Sequence, residues 1–263
     1  NFHFIIPVTI NFLEILICTG VLVYISKKED PTINSRQIFL LIGLLLITQI
    51  LKINFKTISP LSIIVPPTLI ISQGISKITA LSWVSIALIN WPNAENGMNE
   101  YLLLITFISS CIVAILGEKI RSRAQLLQVS IFVPIGAFIA QYLLSGINNN
   151  DLYNFNIQNL ISKHGNIISD SFLLATLMLL AMIFMPILES IFGLVTKARL
   201  LELADQEKPL LRRLSIEAPG TYEHTLLLCG LAEEATRMIG GNVDLVRAGA
   251  LYHDIGKLHA PNW

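Results

Sequence analysis

Residues 59–91 read SPLSIIVPPTLIISQGISKITALSWVSIALINW, and whether this run forms one helix or two decides the fold. One continuous helix is longer than the roughly 17–25 residues of a bilayer crossing. It would also place Lys77 in hydrocarbon, at a cost of ~2.5–3.5 kcal/mol. A break at Gly74 and Ser76-Lys77 divides the run instead into spans 59–75 and 77–91. Working outward, further apolar runs at 4–26, 36–53, 100–117, 126–145 and 171–193 bring the number of expected spans to seven. The expected fold class is all-α, with a polytopic seven-helix membrane bundle over residues 1–193.

Composition points the same way. Of 263 residues, 53% are hydrophobic and 14% charged, with a mean hydropathy of +0.65, outside the usual range of a domain folded in water. Seven spans place Lys27, Lys28, Arg36, Lys77, Lys119, Arg121, Arg123, Lys197 and Arg199 on the side of the C-terminal segment. Lys52, Lys56 and Lys163 fall opposite. Nine cations against three put the C-terminal segment in the cytoplasm and residue 1 outside. Merging spans three and four would put Arg36 and Arg121 on opposite sides and erase the bias. The chain lacks an initiator Met and its last domain reads as unfinished, so a fragment of a longer protein is expected, with any targeting segment out of view.

Other features of the membrane part have two readings each. Glu14 lies mid-span and is either a functional group facing the bundle or a protonated packing residue. Residues 146–170, with Asn148-Asn149-Asn150-Asp151, read as the longest external loop, functional or merely solvated. Pro66-Pro67 and Pro186 are expected kinks. Trp83 suits packing and Trp91 an interfacial belt. Cys18 and Cys111 fall in spans and Cys229 in a cytoplasmic helix, so no disulfide framework is expected.

Residues 194–214 read as a linker helix, with leucines alternating with charge and an interruption at Asp205-Gln-Glu-Lys-Pro209, where Pro209 suits the first position of a new helix. It is either a connection that transmits movement or a helix docked on the following domain. That domain, 215–263, contains His253-Asp254-Ile255-Gly256, with His224 lying 29 positions upstream. A helix is expected from an N-cap at Thr221 to Gly240-Gly241, with His224 facing inward on a stripe with Leu228, Leu231 and Ala235. A second, over 244–254, delivers His253 and Asp254. Two imidazoles and a carboxylate suit a divalent metal, and the carboxylate has a second oxygen that can bridge to another ion. A lone histidine such as His224 is otherwise more often a satisfied core residue.

The stretches EAPGTYEH (217–224) and VRAGALYHDIGK (246–257) resemble the HD superfamily of metal-dependent phosphohydrolases. Within it they are most similar to the branch in which an intracellular HD (HDIG) domain follows a seven-helix membrane receptor, a group that includes bacterial cyclic-di-AMP phosphodiesterases. The resemblance implies that the bundle is followed by the N-terminal part of an all-helical HD domain. It implies His224, His253 and Asp254 as metal ligands, Lys257 as a phosphate contact, and Asp254 and Lys257 as the catalytic pair. It further implies two divalent ions, Mn or Fe, at a site incomplete in this sequence, so that the fragment is expected to be inactive.

Two function classes follow. The first is a membrane-anchored phosphodiesterase acting in the cytoplasm on a cyclic dinucleotide, cyclic-di-AMP by resemblance, in a bacterial-type cell membrane and regulated through the membrane region. The second is a non-catalytic nucleotide-sensing receptor or scaffold with a degenerate HD domain. Expected partners are membrane lipid and a small nucleotide, with a homo-oligomer left open. Zero formal charge and the lack of a basic stripe argue against nucleic acid, and no inverted repeat supports a transporter.

Overall fold

The computed structural model describes residues 2–54, 59–89, 91, 100–149 and 157–259. All elements among them are helical: α1 Phe2–Glu29, α2 Ser35–Asn54, α3 Pro60–Gly74, α4 Lys77–Ile89, α5 Glu100–Gly117, α6 Arg123–Asn149, α7 Ile157–Phe192, α8 Lys197–Leu203, α9 Pro209–Glu217, α10 Pro219–Met238 and α11 Val243–Tyr252, followed by a 3-10 helix, Ile255–His259. Contacts divide the chain into two compact units, Asn1–Leu194 and Val195–Trp263.

The opening stretch does form two helices. α3 ends at Gly74 and α4 begins at Lys77, whose ammonium lies 3.0 Å from Glu118 in the turn after α5. α3 is the centre of the first unit. Ile63, Ile64 and Ile71 join Leu22, Leu41, Leu45, Trp83 and Val84 in one core, while Leu61, Val65 and Leu69 join Val113, Leu126, Leu174 and Met178 in another. Small and hydroxylated residues let its neighbours approach closely. A Cβ at Gly117 of α5 would collide with the Ser72 hydroxyl, and Ser62 donates to the Asp170 carbonyl of α7 at 3.1 Å. Thr68 and Ser72 satisfy their hydroxyls on the Ile64 and Leu69 carbonyls, within their own helix.

The exterior of this unit is apolar: Phe39, Phe132, Phe172 and Ile183 are 64–75% exposed, while Ser110, Ser130, Thr106 and Gln141 are buried. That is the arrangement of a protein solvated by lipid. Three stretches, Ser35–Lys52, Arg123–Ser145 and Gly165–Phe192, are long and apolar enough to cross a bilayer. α3 and α4 have 15 and 13 residues, about 20 Å of rise against a hydrocarbon core of about 30 Å. Helices stand at all seven expected places, but among the described residues length and hydropathy alone carry these three across.

The 146–170 loop is largely absent, because α6 runs on to Asn149 and α7 starts at Ile157. The polar residues of 157–169 alternate with Ile157, Leu160, Ile161, Ile167 and Ile168, a helical pattern that their polarity masks. The side chains of Glu14, Lys163, Asn148 and Asn149 lie outside the described set, as do residues Lys56, Asn150 and Asp151 altogether. Trp91, expected at an interfacial belt, is 7% exposed and belongs to the core around α3 and α4. Trp83 is fully buried and donates its indole N–H to the Leu41 carbonyl at 3.3 Å. The helices continue through Pro66-Pro67 and Pro186, and also through Pro134.

α7 ends in a Schellman cap: Gly193 adopts φ +63° and the Leu194 N–H reaches the Glu189 carbonyl at 3.1 Å. The Glu189 carboxylate, 6% exposed, receives both guanidinium nitrogens of Arg123, from α6, at 3.2 and 3.4 Å. Gln37 of α2 donates to the Gly193 carbonyl at 3.2 Å. The starts of α2, α4 and α6 thus meet the ends of α5 and α7 on one side of the unit.

The second unit begins with α8, capped by the Thr196 hydroxyl on the Arg199 N–H. After the Asp205 turn, Pro209 occupies the first turn of α9. α8 packs against α11 and α9 against α10, and Leu211, Cys229 and Leu251 form a small core.

Candidate metal centre

α10 starts at Pro219 after Ala218, two residues before the expected Thr221 cap. Proline fixes φ and lacks the N–H that the first turn leaves without a helical partner, so it initiates the helix itself. Gly240 ends it at φ +69°, with the Gly241 N–H on the Thr236 carbonyl at 2.9 Å. The Asn242 side chain then caps α11 by accepting from the Leu245 N–H at 3.1 Å. Glu233 and Arg247 pair at 3.4 Å between the two helices, and the Cys229 thiol faces Glu233 at 3.4 Å. Burial, followed by the neighbouring Glu233 carboxylate, pushes that thiol above its ordinary range.

The hairpin brings His224, His253 and Asp254 together, with one ligand atom from each lying within 4.8 Å of the others. The imidazole rings are 6.1 Å apart and tilted by 59°. His253 and Asp254 do not sit inside α11. They follow its last residue, Tyr252, where the chain turns into the 3-10 helix, so both side chains leave the helix end side by side. Tyr252 anchors this end by donating to the Leu203 carbonyl at 3.0 Å, and burial raises its phenol above the usual range.

His253 Nδ1 lies 2.7 Å from the Ala250 carbonyl, an acceptor that makes Nδ1 the donating nitrogen and Nε2 the atom available as a ligand. Nε2 is 3.3 Å from Asp254 Oδ2. A carbonyl-oriented imidazole, a second imidazole and a carboxylate form a donor set that fits a borderline divalent cation. Lys257 binds the same Asp254 oxygen at 2.7 Å. That hydrogen bond is the main reason the Asp254 carboxyl sits below the ordinary carboxylate range; the nearby His253 and His224 act in the same direction.

The packing of α10 differs from its periodicity. Its buried residues are Thr225, Cys229 and Thr236, whereas His224 is exposed and Leu227, Leu231 and Met238 are 72–82% exposed. α9 and α11 approach the side where small residues allow contact, and the stripe shared by His224, Leu228 and Leu231 is left outward.

This pairing of an apolar helical unit with a histidine–aspartate cluster defines a membrane protein bearing an HD-type domain. The chain matches the family model "7TM receptor with intracellular HD hydrolase" over residues 5–196, and the HD domain model over residues 221–263. It belongs to that receptor–hydrolase family. An uncharacterized protein of Synechocystis is 57% identical over 76 residues, 29% of this chain and 9% of that protein. The cyclic-di-AMP phosphodiesterase PgpH of Listeria monocytogenes is 28% identical over 248 residues, covering 90% of this chain and 34% of PgpH. PgpH of Bacillus subtilis is 26% identical over 272 residues, covering 98% of this chain and 37% of PgpH. The chain therefore spans about a third of the length of the two phosphodiesterases it matches, and the match to the Synechocystis protein covers 9% of that protein. No solved structure matches.

Proposed function

We propose that this chain belongs to a membrane-anchored, metal-dependent phosphodiesterase that hydrolyses a cyclic dinucleotide, cyclic-di-AMP by analogy with the two PgpH relatives. The observation that carries the reading is the convergence of His224, from α10, with His253 and Asp254, at the end of α11. These three side chains would hold one ion, Mn or Fe by ligand type; a second requires ligands beyond them. When bound, a divalent ion supplies Lewis acidity toward a phosphoryl oxygen and lowers the pKa of water. The chain's own part is orientation. Ala250 fixes the His253 tautomer, Asp254 offers a second carboxylate oxygen, and the Lys257 ammonium lies where it can exchange Asp254 for a phosphate oxygen.

The organisation that goes with this reading is a seven-span region over 1–193, a linker over 194–214 and the HD domain from 215, with the HD domain in the cytoplasm of a bacterial-type cell. The one-sided meeting of helix ends at Lys77–Glu118 and Arg123–Glu189 supports that alternation, as does the charge asymmetry of the loops.

The test uses the full-length protein in detergent with Mn²⁺ or Fe²⁺. Asp254→Asn and His253→Ala are each expected to lower cyclic-di-AMP hydrolysis by more than the ~10–100-fold typical of losing an outer-shell partner, with membrane insertion unchanged. Undiminished metal-dependent hydrolysis in Asp254→Asn would sink the site. Metal and nucleotide binding without hydrolysis by the unaltered protein would favour a sensor instead. Orientation is checked separately with cysteines introduced at Asn149 and Asp205 and an impermeant reagent on intact cells, where only position 149 should react.

A further inference from the structure

The membrane unit carries a cavity that phosphodiester hydrolysis leaves unused. It is a groove of about 520 Å³ between α5 and α6, within the range of small-ligand sites. Its walls are apolar, and Ile108, Ile112 and Phe132 are 46–68% exposed, so that it opens outward from the bundle rather than into its core. Gly136 makes the hollow: a Cβ built there meets nothing within 4 Å.

The two helices are antiparallel neighbours joined by a short turn, so Leu116 and Gln128 mark the end of the groove next to that turn. The Lys119 N–H bonds the Leu116 carbonyl at 2.9 Å, and Lys119 and Arg121 are both exposed there. The apolar trough thus ends at the Gln128 side-chain amide, and the turn beyond it, residues 118–122, carries Lys119 and Arg121. A water-soluble ligand would find almost no polar partner along the walls. A hydrocarbon chain with a negatively charged head matches both its section and its charge.

We propose that this groove holds one acyl chain of an anionic glycerophospholipid, with the phosphate at the Lys119 and Arg121 turn. This rests on α5 and α6 crossing the bilayer, as the seven-span reading has them. Juxtamembrane cations attract anionic headgroups, and the groove converts that attraction into a defined seat.

The experiment places the full-length protein in nanodiscs containing phosphatidylglycerol or phosphatidylcholine with a photoactivatable group on the acyl chain, and maps the labelled peptides. Label should concentrate on 104–116 and 128–144. Gly136→Leu, which fills the hollow, should remove most of it, and Ala140→Leu should do so from the next turn of the same wall, with thermal unfolding unchanged in at least one of the two. Lys119→Ala and Arg121→Ala should each lower the preference for the anionic probe by roughly fivefold. Label spread evenly over all lipid-facing helices, or undiminished in both filled variants, would overturn the groove. Equal capture of both probes by the unaltered protein would overturn the anionic head. No label on any of the seven helices would overturn the membrane crossing itself, and this proposal with it.

Discussion

The two units expose apolar side chains in opposite senses. In the first, large residues such as Phe172 and Ile183 cover the outside, 75% and 64% exposed, around a core that admits Ser72, Thr68 and Gln141. In the second, exposed apolar residues gather on α10, among them Leu227, Leu231 and Met238, while the core is as small as Leu211, Cys229 and Leu251. Exposure alone carries no meaning until the solvent is known. For the first unit, a family of membrane receptors and three helices of spanning length make that solvent lipid. For the second, exposed ion pairs such as Arg213–Glu217 on α9 and Arg237–Glu234 on α10 are those of a surface solvated by water, and the α10 stripe stands out.

The largest effect that tests this contrast is expected at Arg123. Arg123→Leu leaves the Glu189 carboxylate buried without its guanidinium and should destabilise the first unit by about 3–5 kcal/mol, measured as thermal unfolding in detergent. The double variant Arg123→Leu with Glu189→Leu should recover most of the loss, because two apolar groups remove both charges. If the single variant is neutral, the pair does not hold α6 to α7.

Next comes a matched pair of surface changes. Ile183→Asp puts a carboxylate into hydrocarbon and should impair insertion by about 2.5–3.5 kcal/mol. Met238→Asp faces water and should alter stability by no more than about 0.5 kcal/mol. A large loss at Met238 would mean that the α10 stripe is covered in the assembled protein. Smaller again is Gly117→Ala, whose methyl meets the Ser72 hydroxyl; separation of α3 from α5 should cost about 1–3 kcal/mol, and Ser72→Gly should restore part of it.

The smallest effect is electrostatic and confined to the second unit. Lys257→Met removes the main cause of the low Asp254 pKa, so the Asp254 titration followed by NMR should move up toward the ordinary carboxylate range. The sign follows from a folded-state pKa below the unfolded one: the stabilisation is present above the ordinary carboxylate pKa and is lost as pH falls through the depressed value. Asp254 therefore stays ionised through mild acid. A titration that does not move would break the link between Lys257 and the site.

Much of this was legible in the sequence because it is local. The break before Lys77, Pro209 as a helix start and the Gly240 stop follow from residue type and short spacing, and the Gly240-Gly241 turn between two short helices brings His224 to His253 and Asp254 across 29 positions. What was not legible depends on which neighbour arrives. Periodicity finds the α10 stripe but not the side on which α9 and α11 pack. The polar stretch 157–169 is helical because its isoleucines continue the pattern of α7. Glu189 carries a usable signal: an acid within an apolar span needs a partner, and Arg123, a loop cation by sequence, is one.

Gly193 carries a different kind of constraint. Open space surrounds the position of its missing Cβ, yet its backbone sits at φ +63°. Bulk is therefore irrelevant there and handedness decides: an L-residue meets a penalty of roughly 1–2 kcal/mol, whereas a D-alanine introduced by semisynthesis would fit the same conformation without strain. The last turn before the second unit is chosen by chirality, and a mirror-image residue is the substitution it should accept.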